Sequence, residues 1–297
     1  MRDILLTGAS GFLGSIILKE LGAENVITLG RSKSDIVINL DLDVPVIPVM
    51  KTIIHCIGKA HAVPKNALQK QEFFNVNVTG TLNLLRAIEN SNSLPKSFVF
   101  ISSVAVYGKE SGLLIQEESP LEAKDAYGLS KIQAERIIQQ WCSQNNVICT
   151  ILRLPLLAGP NPPGNLGNMI SAIRRGYYFD ISGGTAKKSI VLAKDVARII
   201  KKAADRGGIY NLTDGYHPSF SELSLEISRQ LNKRKPLNMP KFIAYILSLA
   251  GDVIGGAAPI NTKKLNKITS DLTFDDSKAK QILDWTPNSV LSNFQIK

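Results

Sequence analysis

Three residues into the chain a short apolar run, Ile4-Leu5-Leu6, leads straight into Thr7-Gly8-Ala9-Ser10-Gly11-Phe12-Leu13-Gly14, after which Ile16, Ile17 and Leu21 continue at helical spacing. A strand that enters a helix through three glycines spaced in this way has few folds open to it. Glycines permit the tight turn and let backbone approach a ligand closely, while the helix N-terminus offers unpaired N–H groups and the positive end of its dipole. The loop therefore reads as a dinucleotide cradle at the first crossover of a parallel sheet, the bland alternative being a plain strand–helix turn.

The rest of the chain supports that sheet. Ile4–Thr7, Val26–Leu29, Ile53–Cys56, Phe98–Ser102 and Val147–Leu152 read as strands, with helical patterns between most of them. Such alternation predicts βαβ units and an α/β, Rossmann-type doubly wound parallel sheet covered on both faces, with ligands at the carboxyl ends of the strands. After Pro155 the pattern is less regular. The cluster Gly159-Pro160-Asn161-Pro162-Pro163-Gly164 marks a loop, and helical patterns at 166–175, 195–204 and 219–231 then surround short strands at 189–192 and 209–212. The expected organisation is a dinucleotide-binding domain over 1–164, to which 187–213 returns, and a smaller, mixed α/β substrate-binding part over 165–297.

Charge divides along the same line. Residues 1–164 carry 15 basic and 14 acidic side chains, residues 165–297 carry 20 and 11, so almost all of the net +10 lies in the second part. An anionic ligand or an acidic membrane surface fits such a balance, and so does a solvated positive face. The cations are scattered and no aromatic stripe interleaves them, which argues against nucleic acid. Cys56, Cys142 and Cys149 are odd in number and show no metal-ligand spacing, so neither a disulfide framework nor a metal site is expected. With no signal-like start, the expected placement is a reducing cytoplasm. The longest apolar run, Phe242 to Ala250, is too short to span a bilayer and reads as a buried or capping helix. Because its apolar residues lie nearly all round, with Lys241 before it and Lys263, Lys264 and Lys267 after it, peripheral docking on the inner face of a membrane is the second reading.

Two further patterns carry chemistry. The second strand ends Leu29-Gly30-Arg31-Ser32-Lys33, with a cation where NAD sites usually place an acid for the ribose hydroxyls. An Arg there can grip a 2′-phosphate bidentately, so NADP(H) is favoured over NAD(H); if Arg31 merely stacks on adenine, the preference is weak. Further on, Tyr127-Gly128-Leu129-Ser130-Lys131 opens a helical pattern, and residues four apart share a face. A lysine ammonium beside a tyrosine is expected to lower the phenol from about 10 toward the working range of an acid/base catalyst. Upstream the strand Phe98-Val99-Phe100-Ile101 ends in Ser102-Ser103, where a hydroxyl can bond a reacting carbonyl.

In this order these motifs resemble the extended short-chain dehydrogenase/reductases of the NAD(P)-dependent nucleotide-sugar epimerase/dehydratase family. The resemblance rests on TGASGFLG at 7–14, IIHCIG at 53–58, NVTGT at 77–81, FISSVAVYG at 100–108, YGLSK at 127–131, RLPLLAGP at 153–160, KKSIVLAKDVA at 187–197, IYNLTDG at 209–215 and FDDSKAKQIL at 274–283. It implies that Tyr127 is the general acid/base, that Lys131 holds the nicotinamide ribose, and that Ser103, rather than Ser102, orients the substrate oxygen. It further implies that Gly8, Gly11, Phe12, Leu13 and Gly14 line the pyrophosphate and that Arg31 and Ser32 meet the adenosine phosphate. Asp41 and Leu42 would face adenine, with Asp43 replacing Asp41 in a shifted alignment. Cys56, Ile57, Gly58, Asn77 and Pro155 would border the nicotinamide side, Cys56 as a packing contact. His55 is a strand residue outside the chemistry. Homodimers pairing two helices per subunit are common among such relatives.

The resemblance also narrows the reaction. Family dehydratases carry an Asp-Glu pair after the catalytic hydroxyl, where this chain has Val104-Ala105, and the 3,5-epimerase/reductases use a cysteine near Ala105. An apolar pair moves no proton, which leaves hydride transfer at one carbinol carbon. Stretches 163–176 and 264–280 resemble bacterial reductases that make UDP-N-acetylquinovosamine-type sugars from UDP-linked 4-keto-6-deoxy-N-acetylhexosamines, surface polysaccharide precursors. On that reading Asn165, Asn168, Arg174 and Lys187 bind the UDP-sugar. A UDP-sugar 4-epimerase keeping NAD, and a non-catalytic NADP-binding scaffold, are the alternatives.

Overall fold

The computed structural model describes residues 2–60, 63–254 and 260–296. Its strands are β1 (Ile4–Thr7), β2 (Val26–Gly30), β3 (Ile36–Val37), β4 (Thr52–His55), β5 (Ser97–Ser103), β6 (Gly112–Ile115), β7 (Ile148–Leu154), β8 (Leu156–Ala158), β9 (Phe179–Ile181), β10 (Ile190–Leu192), β11 (Gly208–Asn211), β12 (Leu237–Met239) and β13 (Leu272–Phe274). The helices are α1 (Phe12–Leu21), α2 (Ala67–Phe74), α3 (Gly80–Glu89), α4 (Ala126–Gln144), α5 (Gly164–Arg175), α6 (Ala193–Arg206), α7 (Phe220–Gln230), α8 (Lys241–Ile254), α9 (Thr262–Thr269), α10 (Ser277–Leu283) and α11 (Val290–Asn293). A π-turn, Asn75–Thr79, joins α2 to α3.

Seven parallel strands form the main sheet in the order β11-β7-β5-β4-β1-β2-β3, the doubly wound arrangement expected from the sequence. Its central strands are apolar on both faces, as a sheet covered by helices on each side requires. One face packs Leu6, Ile54, Val99 and Leu152 against Leu13 and Ile17 of α1 and Val196, Ile200 and Ala203 of α6. The other packs Leu5, Ile53, Phe98 and Ile151 against Leu84 and Ile88 of α3 and Ala134, Ile138 and Trp141 of α4. A separate core joins α5 and α7 to the small β8–β10 sheet and to Val290 and Phe294. Residues 187–213 divide between the two regions, β10 pairing with β8 and β11 forming the far edge of the main sheet.

One expectation fails here. The run Phe242 to Ala250 forms α8, but it is neither buried nor a cap: its large apolar residues are exposed and only Ala244, Ser248 and Gly251 are covered. Small side chains let α8 lie close against the protein, which forces the bulky ones outward.

Helix α4 is fastened to the sheet by ions. Arg153 in β7 and Glu135 in α4 have side chains 3% and 0% exposed and pair at 2.7 Å. The guanidinium also donates to the Tyr107 hydroxyl at 3.0 Å and the Glu117 carbonyl at 2.9 Å, while Ser102 of β5 donates to Glu135 at 2.5 Å. Tyr107 in turn donates to Asn211 of β11 at 2.8 Å. Breaking such a pair strands one buried charge, whereas replacing both members with apolar groups does not. Arg153→Met alone should therefore cost about 3–5 kcal/mol in urea unfolding. Arg153→Met with Glu135→Leu should recover most of that loss.

Candidate active site

Parallel strands ending on one edge bring the sequence-selected residues together. Thr7 lies in register with Leu29 of β2 and His55 of β4, and His55 with Phe100 of β5. The segments that follow β1, β2, β4, β5 and β7 therefore open onto a single crevice, where such sheets bind ligands.

The glycine loop has the shape a dinucleotide needs. Gly8 takes a φ of +75°, its N–H donating to the Leu29 carbonyl at 3.0 Å, and its carbonyl accepts the Gly11 N–H at 3.0 Å. A Cβ on Gly14 would stand 2.0 Å from the Gly8 carbonyl oxygen, so only glycine lets α1 start this close to the loop. Gly11 caps α1 without a side-chain hydrogen bond, and no acid occupies the first turn. The open N–H groups and undiluted dipole fit a diphosphate, and hence the nicotinamide dinucleotide that the motif implies.

At the end of β2, Arg31, Ser32 and Lys33 are exposed, and among the described residues Arg31 makes no ion pair. The nearest carboxylate in sequence, Asp35, is turned back onto β2. It accepts from the Thr28 N–H at 2.9 Å and hydroxyl at 2.7 Å and pairs with Arg2, which together hold it down at about 2. Asp41 is half-buried and Leu42 exposed, on the loop beyond β3, with Asp43 beside them.

A buried polar relay runs beneath the loop after β4. The Cys56 and Ile57 N–H groups donate to the Thr7 hydroxyl, which lies 2.8 Å from His55 Nδ1; His55 Nε2 lies 3.0 Å from the Thr81 hydroxyl, which donates to the Asn77 carbonyl at 2.7 Å. Since the Thr81 proton is committed to Asn77, His55 carries its proton on Nε2 and accepts from Thr7 at Nδ1. Burial, with Lys131 nearby, lowers His55 to about 3. The Asn77 side chain accepts from the Lys59 N–H at 2.7 Å and donates to Ser130 at 2.8 Å, clasping the loop after β4 to α4. Burial raises the Cys56 thiol to about 11, so it remains a neutral packing group.

Tyr127, Ser103 and Lys131 converge over this relay. Asp125 caps α4 by accepting from Gly128 at 3.0 Å, placing Tyr127 in the first turn. A Cβ on Gly128 would meet the Ala105 carbonyl oxygen at 2.9 Å and Ala123 Cβ at 2.4 Å, so this glycine brings the tyrosine against the turn after β5. There the Ser103 hydroxyl accepts from the Ala105 N–H at 3.2 Å and lies near enough to Tyr127 to pull its phenol downward. Ser102 is buried and spent on Glu135. Lys131 is buried, donates to the Ile101 carbonyl at 2.8 Å and stands 4.3 Å from the centre of the Phe100 ring.

The expected lowering of the phenol is not what the site produces. Burial raises Tyr127, the neighbouring Ser103 hydroxyl opposes that rise and Asp125 adds to it. Lys131 points to a backbone carbonyl instead, and burial brings its own ammonium down to about 8. At neutral pH Tyr127 is thus a protonated phenol, ready to donate.

The remaining candidates lie apart. Pro155 is half-buried immediately after β7. Asn165 and Asn168 are exposed in the first turns of α5, whereas Arg174 is exposed near that helix's other end, about 14 Å along the axis from Asn165 at 1.5 Å per residue. Lys187 is exposed, its N–H donating to Asp271 at 2.7 Å. The sequence reading passed over Glu135, Arg153, Thr7 and Thr81. Glu135 lies four residues beyond Lys131 on the same helical face, and Arg153 is a lone charge in an apolar strand, two signals that mark a buried pair.

The NAD dependent epimerase/dehydratase family profile matches residues 4–213. The N-acetyl-alpha-D-glucosaminyl-diphospho-ditrans,octacis-undecaprenol 4-epimerase of Escherichia coli O157:H7 is 26% identical over 93% of this chain and 88% of its own. The UDP-glucose 4-epimerase of Vibrio cholerae is 26% identical over 98% of this chain and 92% of its own. The solved UDP-glucose 4-epimerase of Thermotoga maritima shares the fold at a TM-score of 0.73 and 18% identity, covering 97% of this chain and 94% of that one.

The depressed His55 value gives a direct check. The folded chain refuses a proton that the unfolded chain accepts below about 6.5, so His55 contributes a loss of stability as pH falls from 6.5 toward 3 and none above that window. Imidazole nitrogen resonances of His55 should stay those of a neutral, Nε2-protonated ring from about pH 8 to about pH 5. An imidazolium signal near its usual midpoint would show that the relay is not formed.

Proposed function

This chain belongs to the NAD dependent epimerase/dehydratase family, and from that premise we propose that it reduces the 4-keto group of a UDP-linked 6-deoxy-N-acetylhexosamine with NADPH. The observation that carries this reading is the end of β2, where an exposed Arg31 makes no ion pair among the described residues and Asp35 is engaged with Thr28 and Arg2. A cation at that place suits the 2′-phosphate of an exchangeable NADPH, and exchange of the cofactor is what net reduction requires.

The nicotinamide cofactor supplies the hydride when bound. Tyr127 Oη gives its proton to the substrate oxygen as negative charge develops there, and the Ser103 hydroxyl shares that hydrogen bond. A phenol held protonated by burial suits proton donation. Lys131, anchored on the Ile101 carbonyl, keeps a cation beneath the ribose side of the crevice. Asn165, Asn168, Arg174 and Lys187 are the proposed contacts of the UDP-sugar, in the part of the chain that carries most of the positive charge.

A second reading is favoured by the relatives: both curated proteins described above are named as 4-epimerases and match nearly end to end. An epimerase would use the same Ser103–Tyr127–Lys131 group but retain its cofactor through both half-reactions. The experiment that separates them is nicotinamide absorbance after addition of UDP-4-keto-6-deoxy-N-acetylglucosamine, with NADPH and NADH run in parallel. Rapid oxidation selective for NADPH supports the reductase. No oxidation, with UDP-N-acetylhexosamines interconverted by enzyme-held cofactor, supports the epimerase.

Tyr127→Phe should lower kcat on the order of 10²–10⁴-fold while leaving NADPH affinity nearly unchanged. Undiminished turnover would remove Tyr127 from the chemistry. Arg31→Ala should weaken NADPH by about 10–100-fold in a titration and leave NADH little affected, because a charge-assisted bond to phosphate is lost only for the former. Equal weakening of both would contradict the 2′-phosphate assignment.

A further inference from the structure

Helix α8 is built inside out. Ala244, Ser248 and Gly251 face the protein, while Phe242 is 66%, Ile246 62%, Leu249 46% and Val253 90% exposed. Positions i, i+4, i+7 and i+11 fall on one stripe, directly opposite the small residues, and Ile243 and Ile254 widen it. Isolated apolar side chains on a surface need no explanation, but a contiguous stripe of this length marks a docking face.

Its surroundings say what docks. Residues 231–270 carry seven Lys and Arg against one acid, Asp252. That acid is committed to the fold: its Oδ1 accepts from the Thr262 N–H at 3.1 Å, tying the start of α9 to the end of α8. On α9, Lys263, which pairs with Glu110 at 3.4 Å, and Lys267 lie one turn apart and exposed, on the side away from buried Leu265. Lys233, Arg234 and Lys235 are exposed on the approach to α8, and Lys241 opens it. Two copies meeting through such rims would set like charges against one another, whereas an anionic lipid surface attracts them. Among the described residues no helix is long and apolar enough to cross a membrane. A 14-residue helix with one apolar face and cationic flanks is suited to lying in the headgroup layer.

We propose that α8 docks this protein on an anionic membrane leaflet, sinking the Phe242–Ile246–Leu249–Val253 stripe among the acyl-chain ends while the neighbouring lysines meet lipid phosphates. The stripe shares no residue with Ser103, Tyr127 and Lys131, and it acts whichever reaction those residues perform.

Flotation of the full chain with vesicles tests this. The protein should float with phosphatidylglycerol/phosphatidylcholine vesicles and remain largely unbound with phosphatidylcholine alone. Ile246→Glu with Val253→Glu should lower partitioning on the order of tenfold or more, and Lys241→Ala and Lys267→Ala by about fivefold each in low salt. All four side chains are exposed, so unchanged circular dichroism and thermal unfolding will show that the variants are folded. Absence of binding, equal binding to neutral vesicles, or full binding by the glutamate variant would overturn the proposal. So would a dimer, detected by light scattering without lipid, that Ile246→Glu dissociates, since the stripe would then belong to a second copy.

Discussion

The buried pair between Arg153 and Glu135 is the constraint on which the site depends. Helix α4 carries Tyr127 and Lys131 on the face that also holds Glu135, so whatever fixes Glu135 fixes the placement of those two side chains. Arg153 does so from the carboxyl end of β7, one strand in from the β11 edge, with Ser102, Tyr107, the Glu117 carbonyl and Asn211 completing the hydrogen bonds that a buried charge needs. Desolvation makes such a network costly unless every member is satisfied. Here the satisfied network joins β5, β7, β11 and α4 under the crevice, and so trades burial for placement.

Above that network the site works by controlling protons through burial rather than through charge pairs. His55 is held neutral between Thr7 and Thr81, which leaves the Thr7 hydroxyl free to accept from the Cys56 and Ile57 N–H groups and so shape the loop after β4. Asn77, at the π-turn between α2 and α3, clasps that loop to Ser130 of α4. Tyr127 is kept protonated by the same desolvation. An irregular turn of this kind inside a helix is often found where function requires a side chain to be re-aimed.

Much of this was legible in the sequence, and the parts that were not have physical reasons. Periodicity and turn residues located β1, β2, β4, β5, β7, β10 and β11 and most of the helices between them, because buried parallel strands are continuous apolar runs and glycine loops punctuate them. The strands β3, β6, β8, β9, β12 and β13 lie at the sheet edge or in two-stranded pairs, outside the regular strand–helix alternation that marked the others. The meeting of Ser103 with Tyr127 was readable from motif order. The polar relay through His55 was not, because it joins residues from β1, β4 and α3 that only the register aligns. Burial was misjudged where it depends on a neighbour's size: hydrophobicity alone could not reveal that α8 turns Ala244, Ser248 and Gly251 inward. The sign of the Tyr127 shift was misread for a similar reason, since four-residue spacing gives a shared face but not the direction in which Lys131 reaches.

Charge placement connects these features to the chemistry. The positive second part, the exposed Arg31 and the start of α1, with no acid in its first turn, present positive potential, whereas Tyr127 is a protonated phenol and the buried His55 a neutral imidazole. In the proposed function, binding and proton transfer therefore fall to different side chains. The measurement that tests this account most directly uses NADPH deuterated at both C4 positions of its nicotinamide, with UDP-4-keto-6-deoxy-N-acetylglucosamine and the product examined by mass spectrometry and NMR. The account predicts one deuterium at sugar carbon 4 and an equal amount of oxidised cofactor released into solution. A product without that deuterium, or turnover with no cofactor oxidised, would contradict it.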